Sequence, residues 1–268
     1  MAVRRRRESA RTVLVEHYPN GNVKNLQWQV DEKLHREDGP ALIRYSENGT
    51  VIEELWYHRG QLHRDNGPAV IARNASGTQQ KQEWFSSGKR HRLDGPACTT
   101  WETLEAGIKC EERWYLNGQL HRDGYPAVEV YMLRHEHKIM LSREWWAHGR
   151  RHRLEGPAEE SFYPSGLPRS RKWYQHNLLH REDGPALEEF FENGALRFYE
   201  WYLHGRLHRE DGPAREVYGT SINHRLIAPR RYFYLEGELI APGDFKRRVR
   251  IYRMSRNLFI TSESSFKL

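Results

Sequence analysis

The chain is poor in cysteine, in long apolar runs and in recognisable catalytic motifs. Only two of its 268 residues are cysteines, Cys98 and Cys110. Disulfides are rare in reducing compartments, so the pair reads as two free thiols of a cytosolic protein. They flank the third hairpin turn, a placement that would let them face each other across strands. No stretch approaches the ~18 apolar residues of a membrane span, and no signal-peptide core follows the basic start, so neither a transmembrane nor a secreted protein is expected. There is no GxSxG, P-loop, HExxH or CxxC pattern, and no cofactor, metal or small-molecule substrate is expected. The mean hydropathy is −0.92 and hydrophobic residues make up 37%. Aromatics at 12% carry the burial that a richer aliphatic content would otherwise supply.

What the chain does have is a seven-fold motif. His-Arg-x-x-Gly-Pro-Ala, or a close variant, begins at His35-Arg36, His63-Arg64, His91-Arg92, His121-Arg122, His152-Arg153, His180-Arg181 and His208-Arg209, with spacings of 28, 28, 30, 31, 28 and 28 residues. A near-constant period of this size marks a repeat architecture. An enzyme builds one active site and has no reason to build it seven times. Seven residues before each histidine stands a tryptophan: Trp28, Trp56, Trp84, Trp114, Trp145, Trp173 and Trp201. Four residues after the tryptophan comes glycine in five copies, with Glu32 and Asn177 in the first and sixth. Asn-Gly or Ser-Gly pairs recur fourteen residues after the histidine, and Asn20-Gly21 opens a partial unit. Asn-Gly between extended segments predicts a hairpin, expected here as a type I′ turn with positive φ at both central residues.

Each unit therefore reads as two main strands, two tight turns and a Gly-Pro corner. No 3.6-residue apolar period develops between the glycines and prolines, so helix is a poor reading of the repeats. The alanines of the motif (Ala41 through Ala214) start one strand, and Tyr45, Trp101, Tyr131, Phe162, Phe190 and Tyr218 lie four residues on, with Arg73 breaking the pattern. These aromatics and the Trp column are expected to stack along one face as a thin core shared between repeats. A degenerate eighth copy, Phe233 to Ile240, ends the array. The predicted fold class is all-β: an elongated antiparallel β-repeat array, as a solenoid or a single long twisted sheet, of seven full repeats plus degenerate terminal units.

The motif invites a metal or acid–base reading, since imidazole and carboxylate serve both. Equivalent histidines two strands apart would sit about 10 Å from one another, too far to share a zinc ion at about 2 Å per bond. A structural role fits better. Glycine before proline makes a sharp corner cheap. The corner Asp caps backbone N–H groups, the arginine reaches that carboxylate or a neighbouring carbonyl, and the imidazole packs on the Trp column. The fourth copy shifts its corner to Asp123-Gly124-Tyr125-Pro126, which predicts a different loop there. Paired glutamates such as Glu53-Glu54, Glu111-Glu112, Glu159-Glu160 and Glu188-Glu189 are expected on a solvated sheet face, paired across strands with Arg and Lys.

The net charge of +7 is unevenly placed. Residues 1–11 carry about +4 and residues 224–268 about +6, which leaves the repeat body near −3. The organisation is thus a basic N-terminal arm (1–11), a repeat domain (12–240) and a basic C-terminal tail (241–268). Arg4, Arg5, Arg6 and Arg7, with Lys246, Arg247, Arg248 and Arg250, are the candidate partner-binding residues. Such arms suit an acidic protein surface, nucleic acid or anionic lipid.

The pattern Trp-Tyr-x-Asn-Gly-x-Leu with a hairpin in each unit resembles the MORN-type repeats (membrane occupation and recognition nexus). Its His-Arg-x-Asp-Gly-Pro-Ala version is similar to a subtype abundant in large DNA viruses of amoebae. The resemblance covers about residues 12–240. It implies a non-enzymatic scaffold that contacts other proteins and sometimes lipid, here a minor capsid protein or other virion component. The alternatives are a soluble, cytoplasmic binding module of antitoxin or immunity type, and a tail-mediated binder of nucleic acid or anionic lipid.

Overall fold

The computed structural model describes residues 11–135, 137–219 and 228–264, with side chains of the last helix described through Arg256. The chain divides into two compact bodies, Met1–Gly149 and Arg150–Leu268. The basic arm Arg4–Arg7 lies outside the described residues. Among the described residues, no helix is long and apolar enough to cross a membrane.

The N-terminal body is an antiparallel sheet whose strand order follows the chain. Arg11–His17 pairs with Val23–Val30, which pairs with Leu42–Tyr45 and so on through Val51–Leu55, Val70–Arg73, Gln79–Glu83, Cys98–Leu104, Gly107–Arg113, Val128–Arg134 and His137–Glu144. In the C-terminal body the same order runs through Glu159–Phe162, Pro168–Lys172, Leu187–Phe190, Leu196–Glu200, Arg215–Val217, Arg230–Leu235 and Glu238–Ile240. No pairing among the described residues closes either sheet into a barrel. Chain-order pairing follows from the short turns, because a strand that leaves a tight hairpin has its predecessor as its nearest partner.

Each repeat contributes two hairpins of different geometry. The Asn-Gly and Ser-Gly turns are not type I′. Gly21, Gly49, Gly77, Gly166 and Gly194 have φ between 82° and 88°, but none of the residues before them is at positive φ. Where asparagine precedes the glycine, its side chain explains the difference. The side-chain Oδ1 of Asn20 accepts the Asn22 N–H, and that of Asn48 accepts the Thr50 N–H, so an Asx turn holds the asparagine in the ordinary region. Only the following glycine then goes left-handed, and a bulge follows in the ladder, as between Arg44 and Tyr45. The type I′ geometry belongs to the second turn. Arg59-Gly60, Asn117-Gly118 and His204-Gly205 are left-handed at both residues. The glycine-free copies conform at a cost in strain, with Asp31-Glu32 and His176-Asn177 also at positive φ.

The motif alanines are all at 0% exposure, as is Cys110 among the other described residues. Each sits between two ladders: the Ala41 N–H donates to the Leu55 carbonyl at 2.8 Å, and its carbonyl accepts the Trp28 N–H at 2.8 Å. Any larger side chain would overpack that position. The apolar cluster is built from the neighbours of the repeated columns rather than from the columns themselves. Leu42, Leu55 and Val70 are buried, with Leu34, Tyr57, Leu62 and Phe85 packed around them. Of the expected aromatic columns, Trp114, Trp145 and Tyr131 are buried as well, and six of the seven Trp rings lie against the motif arginine. The cysteines do not face each other: Cys98 lies opposite Arg113 and Glu83, and Cys110 opposite Trp101 and Tyr131. Both thiols are free and buried.

The C-terminal tail is not extended. Phe245–Ser264 is an α-helix, begun by Asp244, whose carbonyl accepts the Arg248 N–H. Phe245 and Val249, one turn apart, bury against Leu235 and Ile240 of the last hairpin, with Phe233 and Tyr252 alongside. That i, i+4, i+7 apolar spacing is the helix signal inside the basic run.

Candidate functional site

The repeated corner is a closed network of contacts. In six copies the imidazole Nδ1 accepts a backbone N–H from the second turn of the next repeat. The donors are Arg59 to His35, Ser87 to His63, Asn117 to His91, His148 to His121, His204 to His180 and Glu236 to His208, at 3.1–3.4 Å. The glycine after each donor bonds the preceding repeat as well, as Gly60 N–H to the Leu34 carbonyl at 2.8 Å. An N–H aimed at Nδ1 requires a lone pair there, so the neutral ring carries its proton on Nε2. In five of these copies Nε2 in turn faces a carboxylate two residues on, 3.1 Å away in His63–Asp65 and 3.3 Å in His121–Asp123; the third copy has Leu93 there. The degenerate eighth copy has no histidine of its own, yet its turn completes the bond to His208.

The fifth copy is the exception. His152 Nδ1 is buried with no hydrogen-bond partner. Asn177 replaces the turn glycine in the next repeat, and its side-chain oxygen takes the Arg151 N–H at 2.6 Å.

Four further histidines extend the corners. His58 meets His35 edge-on at 4.8 Å, and His148, His176 and His204 stack on His121, His152 and His180 at 4.3, 4.7 and 4.5 Å. Sequence reasoning passed over these rings. Their only signal is their position directly before or two residues before the second-turn glycine or its replacement. Tyr252 of the helix plays the corresponding part for His208, at 5.3 Å. The basicity of His180 is lowered, first by burial and then by His204, with Glu182 acting the other way. That of His152 is lowered by burial and by His176.

The arginine, not the imidazole, packs on the Trp column. The guanidinium carbon of Arg36, Arg64, Arg92, Arg122, Arg181 and Arg209 lies 3.9–4.2 Å from the ring centre of Trp28, Trp56, Trp84, Trp114, Trp173 and Trp201. The same group bonds the corner Asp, as in Arg181–Asp183 at 2.8 Å, and the proline carbonyl, as in Arg153–Pro157 at 3.0 Å. Those arginines hold Asp38, Asp94, Asp183 and Asp211 below the usual carboxylate range. The corner glycine also has a different reason from the one its proline suggests. A Cβ at Gly39, Gly67, Gly95 or Gly184 would stand 2.6–2.8 Å from the guanidinium carbon. Glycine is therefore the other wall of an Arg sandwich. In the fourth copy Tyr125 stands at that place, and Arg122 lies between Trp114 at 3.9 Å and Tyr125 at 5.1 Å.

The paired glutamates do pair across strands, as Arg73–Glu54 at 2.6 Å and Arg197–Glu189 at 3.0 Å. They are half-buried rather than solvated: Glu54 and Glu189 side chains are 22% and 24% exposed. Glu83 is buried between Lys81 and Arg90, each at 2.7 Å, and those cations hold it ionised against the cost of desolvation.

The basic helix is mostly neutralised from within. Arg247 pairs with Asp244 at 3.0 Å and Arg248 with Glu238 at 2.5 Å, while Arg253 and Arg256 share Glu210 at 2.6 and 3.6 Å. Lys246 and Arg250 have no acidic partner among the described residues. No protein-family profile matches the chain, and no curated protein matches its sequence.

Proposed function

We propose that the chain is a non-enzymatic scaffolding repeat protein that binds other proteins. One observation carries this reading. The side chains that could do chemistry are spent on structure in copy after copy: six of the motif histidines join one repeat to the next, and the motif arginines close their own corner against its tryptophan. A catalytic site would single out one copy and leave its imidazole free. The fifth copy departs by losing the Nδ1 bond and by carrying Glu155 at its corner, and no group of three metal-ligating side chains gathers there among the described residues.

The MORN-type resemblance and its viral subtype support a finer reading: a minor capsid protein or other virion component that bridges neighbours through its sheet faces and basic ends. Tail-mediated binding of nucleic acid is less favoured at the C-terminal end, where four of the helix's six described cations are already paired within the chain. Cross-linking mass spectrometry on purified particles tests both levels. The expected result is stoichiometric presence with cross-links from strand-face lysines such as Lys109 and Lys138 to one or two neighbours. Absence from particles removes the virion reading, and a chain that turns over a substrate with one histidine corner intact and the others disabled removes the scaffold.

A further inference from the structure

We infer that the groove between the terminal helix and the seventh corner is a docking site for an acidic segment of a partner protein that carries a large apolar side chain. The inference rests on the scaffold reading and names what one end of the scaffold holds. The groove measures about 600 Å³, with Phe233, Phe245, Val249 and Met254 as its apolar part and Lys246 and Arg250 among its charged lining; the carboxylates that also line it are already engaged, Glu210 by Arg253 and Arg256 and Asp211 by Arg209. That volume falls among those that enclose a ligand group. Met254 is 58% exposed, an apolar side chain left open beside buried ones.

Charge decides the occupant. Lys246 and Arg250 are exposed, without an acidic partner among the described residues, and four residues apart, so they share one face of the helix. Like charges at that spacing repel each other and weaken the helix. The remaining described arginines of the helix show what relieves such repulsion, since Glu210 already bridges Arg253 and Arg256. A carboxylate set between Lys246 and Arg250 would do the same one turn earlier and would gain charge-assisted hydrogen bonds. The adjoining apolar wall then takes the side chain next to that carboxylate. Two free cations beside an apolar wall do not make the extended basic track on which phosphate backbones are neutralised. A basic or neutral peptide would leave both cations unpaired.

A random heptapeptide library displayed on phage and panned against the full chain tests the inference. Recovered peptides should be enriched in Asp or Glu next to Phe, Leu, Ile or Met. The double variant Lys246→Glu/Arg250→Glu should bind the best of them at least about tenfold more weakly. Met254→Glu, which leaves both cations in place, should weaken them as well, and circular dichroism should show the helix intact in each variant. Enrichment of basic or neutral sequences, no enrichment, or retention of binding by the double variant would overturn the inference. So would sedimentation with phosphatidylserine vesicles that depends on Lys246 and Arg250, because the site would then serve a membrane. Particle cross-linking judges the scaffold reading separately: cross-links without peptide enrichment sink the groove alone, and enrichment without particle association sinks the virion reading alone.

Discussion

His180 and His152 form a natural pair for measuring what the repeated imidazole contributes. Both stack on a second histidine, at 4.5 Å for His204 and 4.7 Å for His176. Only His180 also accepts a backbone N–H, from His204 at 3.1 Å, whereas His152 Nδ1 is buried without a partner. Truncating His180 to alanine removes that hydrogen bond, about 1 kcal/mol net, and the ring contact, about 0.5–1.5 kcal/mol. The expected cost is roughly 1.5–2.5 kcal/mol. His152→Ala loses the ring contact but relieves an unsatisfied buried nitrogen, so its cost should be smaller by about 1 kcal/mol or more. Both sites lie in the C-terminal body, so one urea titration followed by tryptophan fluorescence compares them. Amide exchange at His204 should quicken in His180→Ala while amides far from the sixth corner do not. Equal costs for the two variants, or a larger cost for His152→Ala, would refute the claim that the Nδ1 bond couples the repeats.

Acid should weaken the C-terminal body. Burial and neighbouring rings lower the proton affinity of His152 and His180 in the folded chain, so the unfolded chain binds those protons first. The stability they contribute is full above the ordinary histidine value near 6.5 and is lost as pH falls through it; Tm measured from pH 7.5 to 5.0 should drop, and a Tm that rises over that range contradicts the assignment. Gly184→Ala places a Cβ 2.6 Å from the Arg181 guanidinium carbon and should push that group off Trp173, costing about 1–2 kcal/mol, read by urea unfolding; a neutral effect would show that the sandwich has slack. The Cys98 thiol, pushed up to about 11 by burial and then by Glu83, and the raised, buried Cys110 thiol should react slowly with thiol reagents at pH 8 and form no intramolecular disulfide under mild oxidation. Rapid labelling of the native chain would show that the strand pairs around them open readily.

The period, the strand content and the two turns per unit were legible because glycine, proline and asparagine act locally. Asn48-Gly49 bends the chain wherever it stands, and Ala41 marks a place with no room for a side chain. The degenerate copy at Phe233–Ile240 was legible for the same reason, since its Glu236-Gly237 turn needs no histidine to form. What failed in the reading involved partners distant in the chain or a choice between local solutions. The corner glycine was attributed to its proline neighbour, but its reason is a guanidinium held flat against a tryptophan from earlier in the repeat. The free-standing basic tail was a helix because Phe245, Val249 and Tyr252 had an apolar hairpin to cover, and a run of arginines hid that spacing.

Sequence alone thus determined that the chain is a β-repeat array, since turn chemistry and a near-28-residue period require nothing beyond nearest neighbours. Tertiary structure alone decided which ring each motif residue touches. A hydrogen bond from Arg59 to His35 spans 24 residues, and only the stacking of one hairpin on the next brings that donor to that lone pair. The same is true of the terminal helix: its six described cations are alike in sequence, and the fold pairs four of them and leaves Lys246 and Arg250 without an acidic partner among the described residues.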